Sequence, residues 1–264
     1  MNFKNIFYSK FLQKWSFLFL MSFVAGLIAS HFNAQPNQIT IYLVGDSTMS
    51  EKEVSAYPET GWGMGFDTYF NDVVKIENHA RNGRSTRSFI QEGKWKPIVQ
   101  NLKEGDFVFI QFGHNDEVQT KSRSTTPDEF QKYLRQYLSE TVAKKAQPVL
   151  LTPITRRKFD EAGNIKETHK EYSRLMLEVA ESEKVPLIDM DKKSQALMNE
   201  LGPEKSQLIY LHLKAGQNPN YPQGLSDNTH FSETGARMMA ELVLQGIKEL
   251  NLGLEKYFIS TVKE

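Results

Sequence analysis

The sequence predicts an α/β fold, a three-layer αβα sandwich in which helices cover both faces of a five-stranded parallel sheet. Short apolar runs recur along the chain and are typical of strands that are buried on both faces. Amphipathic helical patterns lie between these runs, and such alternation indicates an open parallel sheet. Ligands bind beyond the carboxyl ends of the strands in these sheets, so functional residues are expected just after each strand.

Five segments have the composition of buried strands. The first, residues 39–44, has the sequence ITIYLV and is followed by a glycine. The third, residues 107–112, has the sequence FVFIQF. A second candidate spans residues 73–77, and two shorter ones span 149–151 and 187–188. These five segments supply the predicted sheet.

Three segments have helical periodicity. One follows Thr126, Pro127 and Glu129, which match an N-cap, a proline at N1 and a capping-box glutamate. Its predicted apolar face comprises Phe130, Tyr133, Leu134, Tyr137, Leu138 and Val142. A second helix is predicted over 171–180, with Tyr172, Leu175, Met176 and Val179 on one face. The last begins near Ser232 and has a predicted buried stripe of Met239, Leu242, Val243, Ile247 and Leu250.

The N-terminal segment differs from the rest of the chain. Lys4, Lys10 and Lys14 precede an apolar stretch of about 13 residues, 17–29, which is short for a membrane span and typical of a signal peptide. We therefore expect residues 1–34 to be a signal peptide and 35–264 to be a single domain, with cleavage near Ser30 or Ala34. A signal anchor is the alternative. The expected location is secreted or periplasmic, without stable membrane association after cleavage.

Composition excludes several classes of protein. The chain has no cysteine, so disulfides, thiol catalysis and Cys-ligated metals are excluded. It has 32 Lys and Arg against 32 Asp and Glu, and without residues 1–34 the net charge becomes about −3, which is not the balance of a nucleic-acid-binding protein. P-loop, H-E-x-x-H, EF-hand, dinucleotide-binding and G-x-S-x-G patterns are absent from the sequence. No cofactor or metal is expected, and the oligomeric state stays open.

Polar motifs follow the first three predicted strands. Gly-Asp-Ser at 45–47 follows the first strand, where a helix beginning after Ser47 would favour negative charge. Gly83 follows the second strand and could bring a backbone N–H close to an oxyanion. Gly-His-Asn-Asp at 113–116 follows the third, and the Asn115 amide could donate to the same oxyanion. Each motif alone is also compatible with a structural role, as a helix cap or a turn, and for Gly-Asp-Ser alone a helix cap is the favoured interpretation.

A fourth motif, Asp227-Asn228-Thr229-His230, precedes the last helix. On a tight turn, Asp227 could bind the Nδ1–H of His230 and leave Nε2 free to accept a proton from a serine. The pattern D-x-x-H also occurs by chance. Of the other histidines, His79, His114, His169 and His212 are interpreted as structural. Trp62 and Trp95 could stack on sugars, but burial in the core is the more frequent fate of tryptophan.

The four motifs together, in this order, resemble the SGNH (GDSL-like) hydrolase superfamily, and most closely its rhamnogalacturonan acetylesterase family. The resemblance covers about residues 39–250 and shows no departure at the functional positions. Further matching segments are GWG at 61–63, GRSTRSF at 83–89, GDFVFIQFGHNDE at 105–117 and NPNYPQGLSDNTHFSETGA at 218–236. The resemblance implies the flavodoxin-like strand order of the SGNH fold. It also implies a serine esterase that acts on an acetylated polysaccharide or oligosaccharide.

The resemblance also assigns roles. It implies that Ser47 is the nucleophile, that His230 is the base and that Asp227 orients it. The implied oxyanion donors are the backbone N–H groups of Ser47 and Gly83 and the side chain of Asn115. A serine hydroxyl needs such a base, because it is unreactive at neutral pH until its proton is removed.

Arginines near the second and fourth strands suggest an anionic polysaccharide such as pectin, because guanidinium pairs well with carboxylate. We expect Arg84, Arg87 and Arg156 to contact substrate; internal pairing with acidic residues is the alternative. Two other functions remain open at this point: an SGNH lipase or thioesterase-type acylhydrolase, and a catalytically inactive glycan-binding protein.

Overall fold

The computed structural model describes residues 38–259. Their main sheet is entirely parallel and has the order β2-β1-β3-β4-β5, so the predicted flavodoxin-like α/β sandwich is confirmed. Its strands are β1 (Ile39–Gly45), β2 (Val74–Asn78), β3 (Phe107–Gln111), β4 (Gln147–Leu151) and β5 (Leu187–Ile188). The predicted signal peptide lies outside the described residues. Within residues 38–259, no helix is long and apolar enough to cross a membrane.

Helices cover both faces of this sheet. They are α1 (Thr86–Gln91), α2 (Trp95–Asn101), α3 (Pro127–Ala143), α4 (Lys170–Glu183), α5 (Met190–Lys205) and α6 (Glu233–Glu249). Short 3₁₀ turns occupy residues 54–56, 66–69, 206–208 and 255–257. A separate antiparallel hairpin pairs β6 (Tyr210–Leu213) with β7 (Leu225–Phe231).

Alternate residues of each central strand enter two different apolar layers, as the pleat of a strand requires. Ile41 and Leu43 of β1 pack in one layer with α5 and α6, whereas Tyr42 and Val44 pack in the other with α1 to α4. Trp62 and Trp95 are buried in these layers. Burial on both faces explains why the strands read as continuous apolar runs in the sequence.

The predicted helices exist, with local differences in their buried faces. In α3, Thr126 forms the capping box with Glu129, but Thr141 is buried where Val142 was predicted, and Val142 is 56% exposed. In α6, Leu244 is buried, whereas Leu250 lies beyond the end of the helix and is exposed. Helices α1, α2 and α5 and the β6–β7 hairpin are not among the predicted elements.

The hairpin is irregular where the fourth motif lies. Tyr210 pairs with Phe231 and His212 pairs with Ser226, so four residues of β7, 227–230, lie opposite Leu211 alone. This bulge pushes residues 227–230 out of the ladder. Asp227 and His230, which were predicted to lie on a tight turn, therefore lie on a bulge within a strand.

The start of α6 is held closely against the same hairpin. A Cβ added at Gly235 would lie 1.8 Å from the carbonyl oxygen of Ile209, so only glycine permits this approach. The Ser232 hydroxyl caps α6 by accepting from the Gly235 N–H and also donates to the Leu208 carbonyl. These contacts set the position of β7, and therefore of the bulge, relative to the main sheet.

Candidate active site

Ser47 lies on a turn directly after β1, and residues 48–53 form no helix, contrary to the sequence-based expectation of a helix that begins after Ser47. The turn is held by the buried Asp46. Its carboxylate accepts from the backbone N–H and the hydroxyl of Thr48, both at 2.9 Å, and its carbonyl accepts from the N–H groups of Met49 and Ser50. Side-chain and backbone hydrogen bonds therefore take the place of a helix N-terminus in orienting Ser47.

His230 extends from the bulge of β7 to this turn. Its Nε2 lies 2.9 Å from Ser47 Oγ, and its Nδ1 lies 2.7 Å from Asp227 Oδ2. The other oxygen of Asp227 accepts from the backbone N–H groups of Thr229 and His230, at 2.6 and 3.0 Å. The Asp227 carboxylate thus shapes the bulge and orients the imidazole at the same time.

The electrostatics of Asp227 match this arrangement. Burial alone would raise the pKa of Asp227, but the hydrogen bond and charge of His230, together with the two backbone N–H donors, outweigh burial and lower the pKa to about 2. The carboxylate is therefore ionised across the neutral range and available to stabilise a protonated imidazole.

Three hydrogen-bond donors surround the position beside Ser47. The backbone N–H groups of Ser47 and Gly83 donate to no acceptor within residues 38–259. Gly83 has φ of 74°, a left-handed conformation that disfavours side chains. The Asn115 amide nitrogen donates to the Arg84 carbonyl at 3.0 Å and has a second hydrogen for the cleft. The structure thus brings together all three predicted oxyanion donors, because β1 lies between β2 and β3.

The buried Asp116 holds the loops that carry Gly83 and Asn115. Its carboxylate accepts from the backbone N–H and hydroxyl of Thr86 and from the hydroxyl of Thr125. Burial raises the pKa of Asp116 to about 7, although these hydrogen bonds act in the opposite direction. The contacts join the loop after β2 to the loop after β3 beneath the site.

A buried lysine that sequence reasoning missed holds the other side of Ser47. Lys52 Nζ donates to the Ser47 carbonyl at 2.6 Å and to the Asn82 side chain at 2.8 Å, and it pairs with Glu59 at 2.7 Å. Its side chain is 2% exposed, and burial lowers the pKa of Lys52 although Glu59 acts to raise it. Lys52 thereby joins the Ser47 turn to Asn82, the residue that precedes Gly83.

An open cleft of about 560 Å³ lies above these groups. It is lined by Ser47, Glu59, Asn82, Gly83, His114, Asn115, Val118, Lys121, Arg123, Arg156, Thr229 and His230. Of the arginines predicted to contact substrate, Arg156 is in this lining, and Arg84 and Arg87 are not. Lys121 and Arg123, which the sequence analysis did not single out, contribute to it.

The predicted substrate arginines have internal partners. Arg84 pairs with Glu92 at 2.8 Å, and Arg87 donates to the Ser122 carbonyl. Arg156 donates to the hydroxyl of Thr229 at 2.6 Å and pairs with Glu117 at 3.1 Å. Arg156 therefore ties the bulge that carries His230 to the loop after β3.

A pair of buried histidines lies beneath the cleft. The rings of His114 and His169 are 4.3 Å apart, and His169 Nδ1 lies 2.9 Å from Glu117 Oε2. Burial is the main cause that lowers the pKa of His114 to about 4, and the charge of His169 adds to it. His114 is therefore neutral above this pKa, which keeps positive charge away from the base of the Ser47 turn.

Comparison with known proteins agrees with this geometry. The model of the GDSL-like Lipase/Acylhydrolase family matches residues 43–238, which include all four motifs. The chain belongs to this family. Membership makes the protein a carboxylic ester hydrolase, so the GDSL-like site described above lies in an enzyme.

Two curated relatives from Bacillus subtilis (strain 168) are similar to this GDSL-like chain. Rhamnogalacturonan acetylesterase RhgT is 41% identical over 84% of this chain and 95% of its own length. The protein named probable rhamnogalacturonan acetylesterase YesY is 36% identical over 83% and 97%. Among solved structures, protein YXIM from Bacillus subtilis has a TM-score of 0.71 at 28% identity; the match covers 82% of this chain and 58% of that one.

The lowered pKa of Asp227 predicts how stability depends on pH. A carboxyl group whose folded-state pKa lies below its ordinary value of about 3.9 stabilises the fold above that value and loses this contribution as pH falls through the folded-state pKa. We expect the free energy of unfolding of the wild type to fall between about pH 4 and pH 2, with a shallower fall in Asp227→Asn. Urea unfolding measured across this range tests the prediction.

The matched control for this experiment is Asn228→Ala, which alters the same bulge without removing a contact of the Asp227 carboxylate. This variant should keep the wild-type slope between pH 4 and 2. Equal slopes in the wild type and Asp227→Asn would contradict the lowered pKa of Asp227.

Proposed function

We propose that the protein is a secreted serine esterase that removes acetyl groups from a plant cell-wall polysaccharide, specifically pectic rhamnogalacturonan. The observation that carries the proposal is the contact of 2.9 Å between His230 Nε2 and Ser47 Oγ, with Asp227 on the opposite ring nitrogen. This is the arrangement needed for a base to activate a serine hydroxyl.

In the first half of the proposed reaction, Ser47 Oγ attacks the carbonyl carbon of the acetyl ester while His230 Nε2 takes the hydroxyl proton. The carbonyl oxygen becomes an oxyanion that accepts hydrogen bonds from the Ser47 N–H, the Gly83 N–H and the Asn115 amide. Collapse of this intermediate breaks the bond to the sugar oxygen. The proton on His230 then passes to that oxygen, and the deacetylated sugar leaves.

In the second half, water attacks the acetylated serine. His230 takes a proton from this water, the same three donors stabilise the second oxyanion, and the proton returns to Ser47 Oγ as acetate leaves. Asp227 keeps Nε2 directed at Ser47 in both halves because it binds the proton on Nδ1. The enzyme ends each turnover in the state in which it began.

The polarity of the cleft supports a sugar ester, rather than a lipid, as the substrate. Val118 is the single aliphatic residue among the twelve that line the cleft; Gly83 offers a backbone N–H, and the other ten side chains offer charges, hydroxyls, amides and ring nitrogens. A long acyl chain gains its binding energy by burying CH₂ groups, at about 0.8 kcal/mol each, and this lining offers little apolar surface for that. The two curated relatives bear the name rhamnogalacturonan acetylesterase, which supports an acetylated pectic substrate.

The secretion part of the proposal rests on the N-terminal pattern, three lysines followed by a short apolar stretch. In a bacterial host that expresses the full chain, we expect the protein outside the cytoplasm with a new N-terminus close to Ser30 or Ala34. Fractionation and N-terminal mass spectrometry measure this outcome. Cytoplasmic protein that retains residues 1–34 would contradict secretion without bearing on the esterase chemistry.

Ser47→Ala should abolish acetate release from acetylated rhamnogalacturonan, with kcat reduced on the order of 10⁵–10⁶-fold, the loss typical of a serine nucleophile. Ser139→Ala, an exposed serine of α3, is the matched control and should retain wild-type kcat. Acetate release is measured from acetylated rhamnogalacturonan and acetylated xylan in parallel. Residual turnover by Ser47→Ala close to that of the wild type would exclude Ser47 as nucleophile, and a clear preference for xylan would refute the pectic substrate.

Ester chain length separates an acetylesterase from a lipase or thioesterase-type acylhydrolase. With 4-nitrophenyl esters, we expect kcat/KM to be highest for acetate and to fall by at least about tenfold for octanoate, because the polar cleft does not repay the burial of extra methylene groups. The wild-type rates for the C2 to C8 esters provide the measurement. A rise in kcat/KM with chain length would favour the lipase.

A further inference from the structure

Among the charged residues that line the cleft, Lys121 and Arg123 lack an acidic partner within residues 38–259, and of these two Lys121 is exposed whereas Arg123 is half-buried. The cleft carboxylate of Glu59 pairs with Lys52, and nearby Glu117 pairs with Arg156 and His169. Half-buried Arg123 makes one side-chain hydrogen bond, from Nε to Asn115 Oδ1 at 3.1 Å. Within residues 38–259, its two terminal nitrogens have no acceptor.

The free end of Arg123 lies beside Gly83, one of the predicted oxyanion donors. A Cβ built on Gly83 would be 3.7 Å from Arg123 Nη1 and 3.8 Å from its Cζ, so the guanidinium lies within van der Waals distance of the side-chain position of this glycine. Arg123 therefore lies next to two of the three proposed oxyanion donors, because its Nε binds the Asn115 side chain and its Nη1 lies near Gly83. A substrate that places its acetyl carbonyl here brings the rest of its sugar close to these free donors.

The loop that carries Arg123 is held at several points. The Thr125 N–H donates to the Asp116 carbonyl at 3.0 Å, and Gln119 donates to the Thr125 carbonyl at 2.9 Å. Arg87 donates to the carbonyl of Ser122, the residue just before Arg123. The position of the guanidinium thus follows from the fold of the loop and from the Asn115 contact together.

We propose that Arg123 binds a carboxylate of an acetylated uronate-containing substrate and, in the same pose, positions the Asn115 amide as an oxyanion donor. Guanidinium presents paired N–H donors that match the two oxygens of a carboxylate. The inference rests on the proposed function and deepens it, because it names the residue through which an anionic sugar is recognised at the acyl site.

The double contact couples recognition to catalysis. A long arginine side chain with one anchor retains rotamer freedom, and a second anchor at its terminal nitrogens removes it. Nε is then held on Asn115 Oδ1, which turns the amide N–H toward the oxyanion. Binding energy from a part of the substrate that does not react is in this way used at the reacting carbonyl, which raises kcat for anionic substrates.

The test compares two forms of the same acetylated rhamnogalacturonan oligosaccharides, one with free carboxylates and one with methyl-esterified carboxylates. A third substrate is 4-nitrophenyl acetate. The variants are Arg123→Gln and Arg123→Lys. Arg174→Gln removes an exposed arginine of α4 and is the matched control. Circular dichroism and thermal unfolding verify that each variant is folded.

We expect the wild type to prefer the free-carboxylate form by at least about tenfold in kcat/KM, a factor within the range for hydrogen bonds to charged groups. Arg123→Gln should reduce this preference to less than about twofold and lower kcat for 4-nitrophenyl acetate by about tenfold with little change in KM, a partial loss of one oxyanion donor. Arg123→Lys should recover part of the preference but not the kcat, because its ammonium lacks the Nε contact. Arg174→Gln should match the wild type.

An unchanged carboxylate preference in folded Arg123→Gln would overturn the inference and leave the proposed function intact. Wild-type kcat for 4-nitrophenyl acetate in Arg123→Gln would overturn the positioning of Asn115. Failure of the wild type to release acetate from either oligosaccharide, with 4-nitrophenyl acetate still hydrolysed, would instead overturn the proposed substrate and with it the carboxylate contact.

Discussion

The contact between His230 and Ser47 is the constraint on which the site depends, because it joins positions 183 residues apart in the chain. Ser47 is placed by the first strand of the rigid parallel sheet. His230 comes from a separate hairpin, so its position depends on how that hairpin packs. Gly235 lets α6 meet the Ile209 carbonyl closely, and Arg156 binds the bulge to the loop after β3. Both ends of the contact are thus held before substrate arrives, which favours preorganised chemistry.

Three aspartates each stabilise the backbone of one segment near Ser47 by accepting hydrogen bonds from its N–H groups. Asp46, Asp116 and Asp227 each accept hydrogen bonds from backbone N–H groups that would otherwise lack partners within a loop. A buried N–H without an acceptor costs about 1–3 kcal/mol, so each carboxylate favours one loop conformation over its alternatives. Asp46 and Asp227 each also contact an imidazole, that of His114 at 3.5 Å and that of His230 at 2.7 Å, and only the second of these imidazoles contacts Ser47 Oγ. At this site, aspartate side chains therefore both stabilise the backbone of the loops and orient the histidine beside Ser47.

Much of the fold could be predicted because burial on both faces leaves continuous apolar runs such as ITIYLV at 39–44. The hairpin was missed because β7 contains polar residues and a bulge, and its pairing is set by tertiary contacts that no local pattern records. Motif spacing located the residues that converge on Ser47. Lys52 and Arg123 were missed because a buried or unpaired charge is defined by its neighbours in space. The one sequence signal for Arg123 was its position as a basic residue soon after the Gly-His-Asn-Asp motif at 113–116.

The arginines show why a count of charges does not identify a binding surface. Arg84, Arg87 and Arg156 were predicted to contact substrate from their place in the sequence, yet each donates to a carboxylate or a carbonyl of the protein. A cation that is already paired must give up that partner before it can bind an anion, so its gain on binding is small. An unpaired cation such as Arg123 loses no protein partner when a carboxylate arrives, and its desolvation is partly complete because it is half-buried. Specificity for an anionic ligand is therefore governed by which cations the fold leaves without a partner.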